Sequence, residues 1–188
     1  LRAGIPEKAP AFFFLDVRNE ELPAFVAATK KFDGVRNVES APMLRGRIAR
    51  IRETPVDKVK TAGDGGWALR GDRGLTYSET LPGGSVLVEG QWWEQDHNGS
   101  PLVSFVDEIA QDIGLKIGDS VTVNVLGRDV TARVANFRKV NWRTMGINFV
   151  MVFSPNTLKS APHSHIVTVE MEGGDEAKLL NAMAREFP

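Results

Sequence analysis

Three histidines, four tryptophans, a scatter of carboxylates and no cysteine are what any chemistry in this chain must draw on. The absence of cysteine removes disulfides, thiolate nucleophiles and cysteine-ligated zinc together. His163-Ser164-His165 offers two imidazoles, the commonest metal ligands. Alternation along extended chain is expected to send them to opposite faces, so the segment reads as a solvated loop. His97, between Asp96 and Asn98, reads as surface. Gly83-Gly84-Ser85 opens a strand and lacks the rest of a nucleophile elbow. Gly63-Asp64-Gly65-Gly66 has neither the spacing nor the Lys-Ser/Thr of a phosphate loop and reads as a turn. The pairs Asp107-Glu108 and Asp175-Glu176 fall in first helical turns, where the helix dipole accounts for them. These residues assign no catalytic, cofactor or metal position.

Two sets point outward instead. Arg45, Arg47, Arg50 and Arg52 suit anionic headgroups or an acidic partner, although the plainer reading is the solvated face of an amphipathic strand. Trp92, Trp93 and Trp142 are the candidate contacts for a partner or an apolar cargo. One indole of an adjacent pair in extended chain usually faces out.

Positioning these residues needs a folded core, and the composition supplies one. The 188 residues are 42% hydrophobic and 25% charged, enough for one large domain or two small ones. A formal net charge of −1 argues against an electrostatic nucleic-acid binder. No window approaches the roughly 20 apolar residues of a membrane span. The opening Leu1-Arg2-Ala3-Gly4 lacks an initiator Met and the apolar core of a signal peptide, so the chain is read as a piece of a longer protein.

The continuous apolar run Ala11 to Val17 predicts a strand covered on both faces. A helix is predicted from about Glu20 to Phe32, capped near Asn19. Extended chain follows over Val35 to Val38 and Met43 to Ile51, then a polar, glycine-rich stretch to Leu81. Ser85 to Glu89 reads as a strand, and Phe105 to Ile113 as a helix with Ser104 and Asp107 at capping-box spacing. Val121 to Val134 alternates as a hairpin, Asn148 to Phe153 is a strand, and the tail is a strand from Ile166 to Met171 followed by a helix. The expected fold class is α+β. A split β-α-β…β-α lobe (10–52 and 165–188) is interrupted by an inserted, mostly β lobe (53–164), with 1–9 as a flexible N-terminal segment.

Several runs carry a family resemblance. Gly114-Leu115-Lys116-Ile117-Gly118-Asp119-Ser120-Val121-Thr122-Val123 resembles a run in the periplasmic core (MacB-like) domains of FtsX-like ABC transporter permeases. Arg138-Lys139-Val140-Asn141-Trp142 with Ile147-Asn148-Phe149 is similar to an R-x-V-x-W … N-F signature of the YbbP-type branch. Pro42 to Ile48 and the closing Leu180 to Pro188 resemble the same branch. The Gly118-Asp119 turn is widely shared; the block from Val140 to Phe149 is more specific.

The resemblance implies a porter-like α/β lobe carrying a sabre-like insert, in a periplasmic domain of an inner-membrane protein without catalytic residues or cofactors. It implies a partnership with a cytoplasmic ATPase subunit whose work is transmitted to the extracytoplasmic side. It also implies handling or extraction of lipids or hydrophobic molecules, and a periplasmic partner such as a lysophospholipase or esterase. The family's chain continues after the last helix into another strand, which this chain lacks. Two other function classes stand beside it: an α+β hydrolase or metal-dependent enzyme, and a periplasmic scaffold that recruits a partner.

Overall fold

The computed structural model describes residues 11–141 and 147–188. In chain order the elements are β1 (Ala11–Val17), α1 (Leu22–Lys30), β2 (Val35–Ile51), β3 (Thr54–Pro55), β4 (Arg73–Tyr77), β5 (Ser85–Gly90) and β6 (Leu102–Val106). They continue with α2 (Asp107–Asp112), β7 (Ser120–Val125), β8 (Arg128–Val140), β9 (Met151–Phe153), α3 (Pro155–Leu158), β10 (Ser164–Met171) and α4 (Glu176–Glu186). The chain divides into two compact units, Leu1–Ala41 with His163–Pro188, and Pro42–Pro162. The fold is α+β, as the sequence predicts.

In the first unit β10 lies between β1 and the start of β2. β1 and β10 run antiparallel, with Phe12 opposite Val169 and Phe14 opposite Val167, so the two strands share a sheet as expected. Alternation then sorts the phenylalanines. Phe12 and Phe14 join the core under α1 and α4, formed by Phe25, Val167, Val169, Leu179 and Met183. Phe25 is its hub, with the rings of Phe14 and Phe187 each centred 5.0 Å away. Pro23 sits in the first turn of α1, where its missing N–H costs nothing. Asp175 caps α4 by accepting from the Lys178 N–H at 3.0 Å.

The second unit is built on a circuit of strand pairs. β2 pairs β4, β4 pairs β9, β9 pairs β6, β6 pairs β8, β8 pairs β7, and β7 returns to β2. The β4–β9 and β6–β8 pairings are parallel and the other four antiparallel. Leu75, Val103, Phe105, Val121, Val123 and Met151, all fully buried, belong to the core of this circuit. Closure requires β2 to leave β4 after Gly46 and take up β7 at Arg47. At that crossing a Cβ on Gly46 would stand 2.7 Å from Leu75 Cδ1 and 2.9 Å from the Asn124 carbonyl, so only glycine fits. β5 lies outside the circuit, pairing with the second half of β8 and exposing Val86 and Val88.

Several expectations are corrected. β1 is covered on one face only: Phe13 and Leu15 are 48% and 59% exposed, because the helices pack on the other face. Residues 42–52 belong with the second unit rather than the first, since Leu44, Ile48 and Ile51 are buried in its core. The polar, glycine-rich stretch ahead of Leu81 contains a strand, β4, whose Leu75 and Thr76 are buried. Phe105 is not helical. β6 occupies 102–106, and α2 begins at Asp107 with Val106 as its cap residue and Ser104 in the strand. α1 is shorter than expected, and Asn19 does not cap it. The segment 1–9 lies outside the described residues.

These contacts set measurable costs. Phe25→Ala is expected to destabilise the chain by about 3–5 kcal/mol, and Leu15→Ser by less than about 0.5 kcal/mol. Gly46→Ala is expected to cost about 1–3 kcal/mol by overpacking the β4–β2–β7 crossing. Urea-denaturation midpoints of the three variants check this ordering.

Candidate functional site

The most unusual side chain is Arg138, near the end of β8 and 1% exposed. Its Nη1 donates to the Ser104 carbonyl at 2.9 Å and to the Ser104 hydroxyl at 3.0 Å. Its Nη2 donates to the Phe149 carbonyl. Loss of water pulls the guanidinium down to about 9, which still leaves a cation at neutral pH. These three oxygens, all neutral, spread the compensation for a buried charge over backbone and hydroxyl dipoles. Arg138 and Phe149 are the two ends of the motif block that carried the family resemblance. Their bond ties the end of β8 to the chain entering β9.

Trp92 and Trp93 stack with centroids 4.1 Å apart and a tilt of 32°. Trp92 is half-buried, its indole N–H donating to the Glu79 carbonyl at 2.9 Å. Trp93 is 7% exposed and donates to the Ser78 carbonyl at 2.9 Å. The Ser78 N–H in turn donates to the Phe153 carbonyl at 3.1 Å. The pair therefore fastens the segment after β4 to the segment after β5, and the Trp92 ring retains a partly open surface. Trp142 lies outside the described residues.

A further exposed indole, Trp67, is not among the candidates the sequence pointed to. It lies on a 3-10 helix, Gly65–Leu69, and is 38% exposed. The Arg73 guanidinium sits 4.5 Å from its ring centroid and also donates to the Trp67 carbonyl. A Trp followed by Arg six residues later across a Gly-Asp turn was the available signal. Of the glycine-rich segment read as a turn, Gly63-Asp64 is one, whereas Gly65 and Gly66 open the 3-10 helix; a Cβ on Gly63 or Gly65 would meet the Asp112 side chain at 2.7 Å.

The histidines differ from their expected roles. His163 and His165 do not diverge: their ring centroids are 5.4 Å apart, since residues two apart on a strand share a face. His165 is no solvated loop residue. It is 8% exposed in β10, and its Nε2 bonds the Asn19 side-chain oxygen. His97 is half-buried, its Nε2 bonding the Ser100 carbonyl at 2.8 Å. Among the described residues no group of three or more His, Cys, Asp or Glu is placed to hold a metal ion.

The arginine set is split by local pairing. Arg50 meets Asp129 at 3.6 Å, and Arg52 meets Asp119 at 2.9 Å and the Gly114 carbonyl at 3.2 Å. Arg45 and Arg47 are exposed. Arg52 also lines a cleft of about 560 Å³ with Lys58, Lys60, Gln111 and Asp112 in the second unit. A cleft of about 520 Å³ in the first unit is lined by Lys31, Asp33, Asp175 and Lys178 around Gly173-Gly174. Neither lining includes a serine or histidine that would supply a nucleophile and its base.

Arg138→Ala strips the donor from the buried Ser104 carbonyl and hydroxyl and from the half-buried Phe149 carbonyl, at roughly 1–3 kcal/mol for each buried acceptor left bare. Arg138→Lys is expected to recover less than half of that loss, because one ammonium cannot span the fork between Ser104 and Phe149. Trp93→Ala is expected to cost about 3–5 kcal/mol. Trp92→Ala, which forfeits stacking and one exposed hydrogen bond, is expected to cost about 1–2 kcal/mol. Equilibrium denaturation of the four variants measures all of these.

No family model matches the chain. Among curated proteins it is 27% identical over 187 residues to YbbP, an uncharacterized ABC transporter permease of Escherichia coli (strain K12). That alignment covers 98% of this chain and 21% of the relative, so the chain spans about a fifth of that permease's length. Among solved structures it aligns with a crystal structure described as a domain of a permease protein from Porphyromonas gingivalis. The TM-score is 0.41 at 11% identity, over 85% of this chain and 74% of that one. The resemblance to an ABC transporter permease of the YbbP type, carried first by a few short motifs, extends across nearly the whole of this chain.

Proposed function

We propose that this chain is a non-enzymatic extracytoplasmic domain of an ABC transporter permease, with the first unit porter-like and the second sabre-like. In this reading a separate cytoplasmic ATPase subunit powers the parent protein, and the domain passes its conformational change to the periplasmic side. There the work is the handling or extraction of lipids or other hydrophobic molecules, with a lysophospholipase or esterase as the kind of periplasmic partner expected. The observation that carries the proposal is the alignment of nearly the whole chain with one fifth of a permease.

Connectivity supports it. Both ends of the chain belong to the first unit, and the second is joined to it at Ala41–Pro42 and Pro162–His163. A force delivered at the ends enters the first unit and reaches the second through those two crossings. The partly open Trp92 surface is the proposed contact for cargo or partner, with Trp93 as its support; Trp142 is proposed beside them on the sequence alone.

The chain has no cysteine, so a single reporter can be introduced without background from this domain. Val86→Cys, at a position 65% exposed on β5, is placed in the full permease freed of other cysteines. Labelling by a membrane-impermeant maleimide in cells with an intact inner membrane is the expected result. Labelling only after that membrane is permeabilised overturns the assignment of side. The non-enzymatic reading is tested separately with a short-chain ester and with ATP. Turnover by the purified chain that a single substitution such as His163→Ala abolishes would overturn it.

A further inference from the structure

The His163-Ser164-His165 segment has no part in the proposed function, yet it forms a compact polar cluster at the chain's return into the first unit. His165 pairs in register with Val17 at the end of β1, where the ladder slips between Phe14 and Val17. Asp16, inside that slip, has a φ of 59°, a left-handed conformation uncommon for a residue with a side chain. The Ser164 hydroxyl donates to the Asp16 carboxylate at 3.4 Å, and His165 holds Asn19. The turn from β1 into α1 is therefore fastened to β10 by two side-chain bonds.

The bond to Asn19 survives protonation of His165, so the acid-sensitive atom is the other ring nitrogen. The Asn19 oxygen accepts from Nε2–H, which leaves Nδ1 as the bare nitrogen; that atom is buried and has no hydrogen-bond partner. A proton arriving at Nδ1 creates a buried N–H without an acceptor and places a positive charge on a ring centred 5.4 Å from that of His163. The other charged groups nearby offer little relief. Asp16 already accepts from Ser164, and Arg18 pairs with Glu21 at 2.5 Å. Glu20 is exposed. On β2, Arg36 pairs with Glu172 at 2.8 Å, and Glu39 accepts from Asn37.

We propose that His163, His165 and Asn19 form an acid-sensitive latch, in which a proton at the buried Nδ1 of His165 is accommodated by opening the β1–α1 turn from the start of β10 so that water can solvate it. Burial first, and the charge of His163 second, hold the His165 imidazole below its ordinary range. The folded chain thus binds this proton less well than the unfolded chain. The latch's contribution is fully present above the ordinary imidazole range and is lost as pH falls below it.

The test follows histidine ring protons and amide exchange of the intact chain by NMR from about pH 8 to about pH 4. The His165 ring is expected to titrate below the ordinary imidazole value. Protection of the Val17–Leu22 and Ser164–Ile166 amides, relative to their intrinsic exchange at each pH, should fall about tenfold or more with the same midpoint. His165→Gln keeps an N–H for Asn19 and is expected to abolish the response; His163→Gln is expected to move the midpoint up. A His165 ring that titrates at the ordinary value, or protection that does not follow it, overturns the proposal. So does an acid response that survives in His165→Gln. If that variant does not fold, the wild-type titration alone decides.

Discussion

A ring of strands closes only if some strand can serve two partners, and β2 does so by changing neighbours at Gly46. The two adjoining strands approach that point so closely that a methyl group has nowhere to go. Much else in the second unit follows from this. Closure gives the backbone groups of the ring partners within the ring, so the apolar side chains can turn inward without an exposed edge. It also makes 42–51 part of the second unit, although in sequence those residues continue a strand that begins in the first.

The buried Arg138 complements that constraint. Strand pairing holds β6 against β8 and β9, while the chain entering β9 lies beyond a regular ladder. A planar cation with several donors is suited to holding two carbonyls and a hydroxyl on different segments at once. An apolar side chain of equal size would fill the space and leave those oxygens bare. The arginine of the motif therefore has a structural reason to be there that needs no ligand. Trp92 and Trp93 serve in a similar way, filling space with their rings and holding Ser78 and Glu79 with their N–H groups.

The regular alternation of Val121 to Val134 and the polar break at Gly173-Gly174 were legible in the sequence because both are local signals. The strand β6 was not. Its run Leu102 to Val106 leads straight into a helix with no turn residue between them, so periodicity merged the two. Around β4, Arg73 and Gly74 disguise a strand whose buried members are only Leu75 and Thr76. The phenylalanine run of β1 looked covered on both faces because its exposed residues are as apolar as its buried ones. The histidine pair was a misapplied period: positions 163 and 165 share a face. Asn19 was read as a helix cap because nothing local announces a partner so distant in sequence. Of the tryptophan contacts, the sequence picked out the pair, and it could not show that both N–H groups are spent on the backbone.

The nesting of one unit inside the other has a consequence for the order in which the chain matures. The second unit is a single continuous stretch, free to form as soon as Pro162 has been made. β1 has no such freedom, since its partner β10 is made only after the whole of the second unit. About 150 residues separate them, which at ribosomal speed is roughly 8 to 30 seconds. For that interval a run of three consecutive phenylalanines and a leucine waits without a strand to pair with. Such a segment is a natural client for a holding chaperone. Slowing elongation ahead of His163 should lengthen the wait and raise aggregation in proportion, leaving the finished protein unchanged.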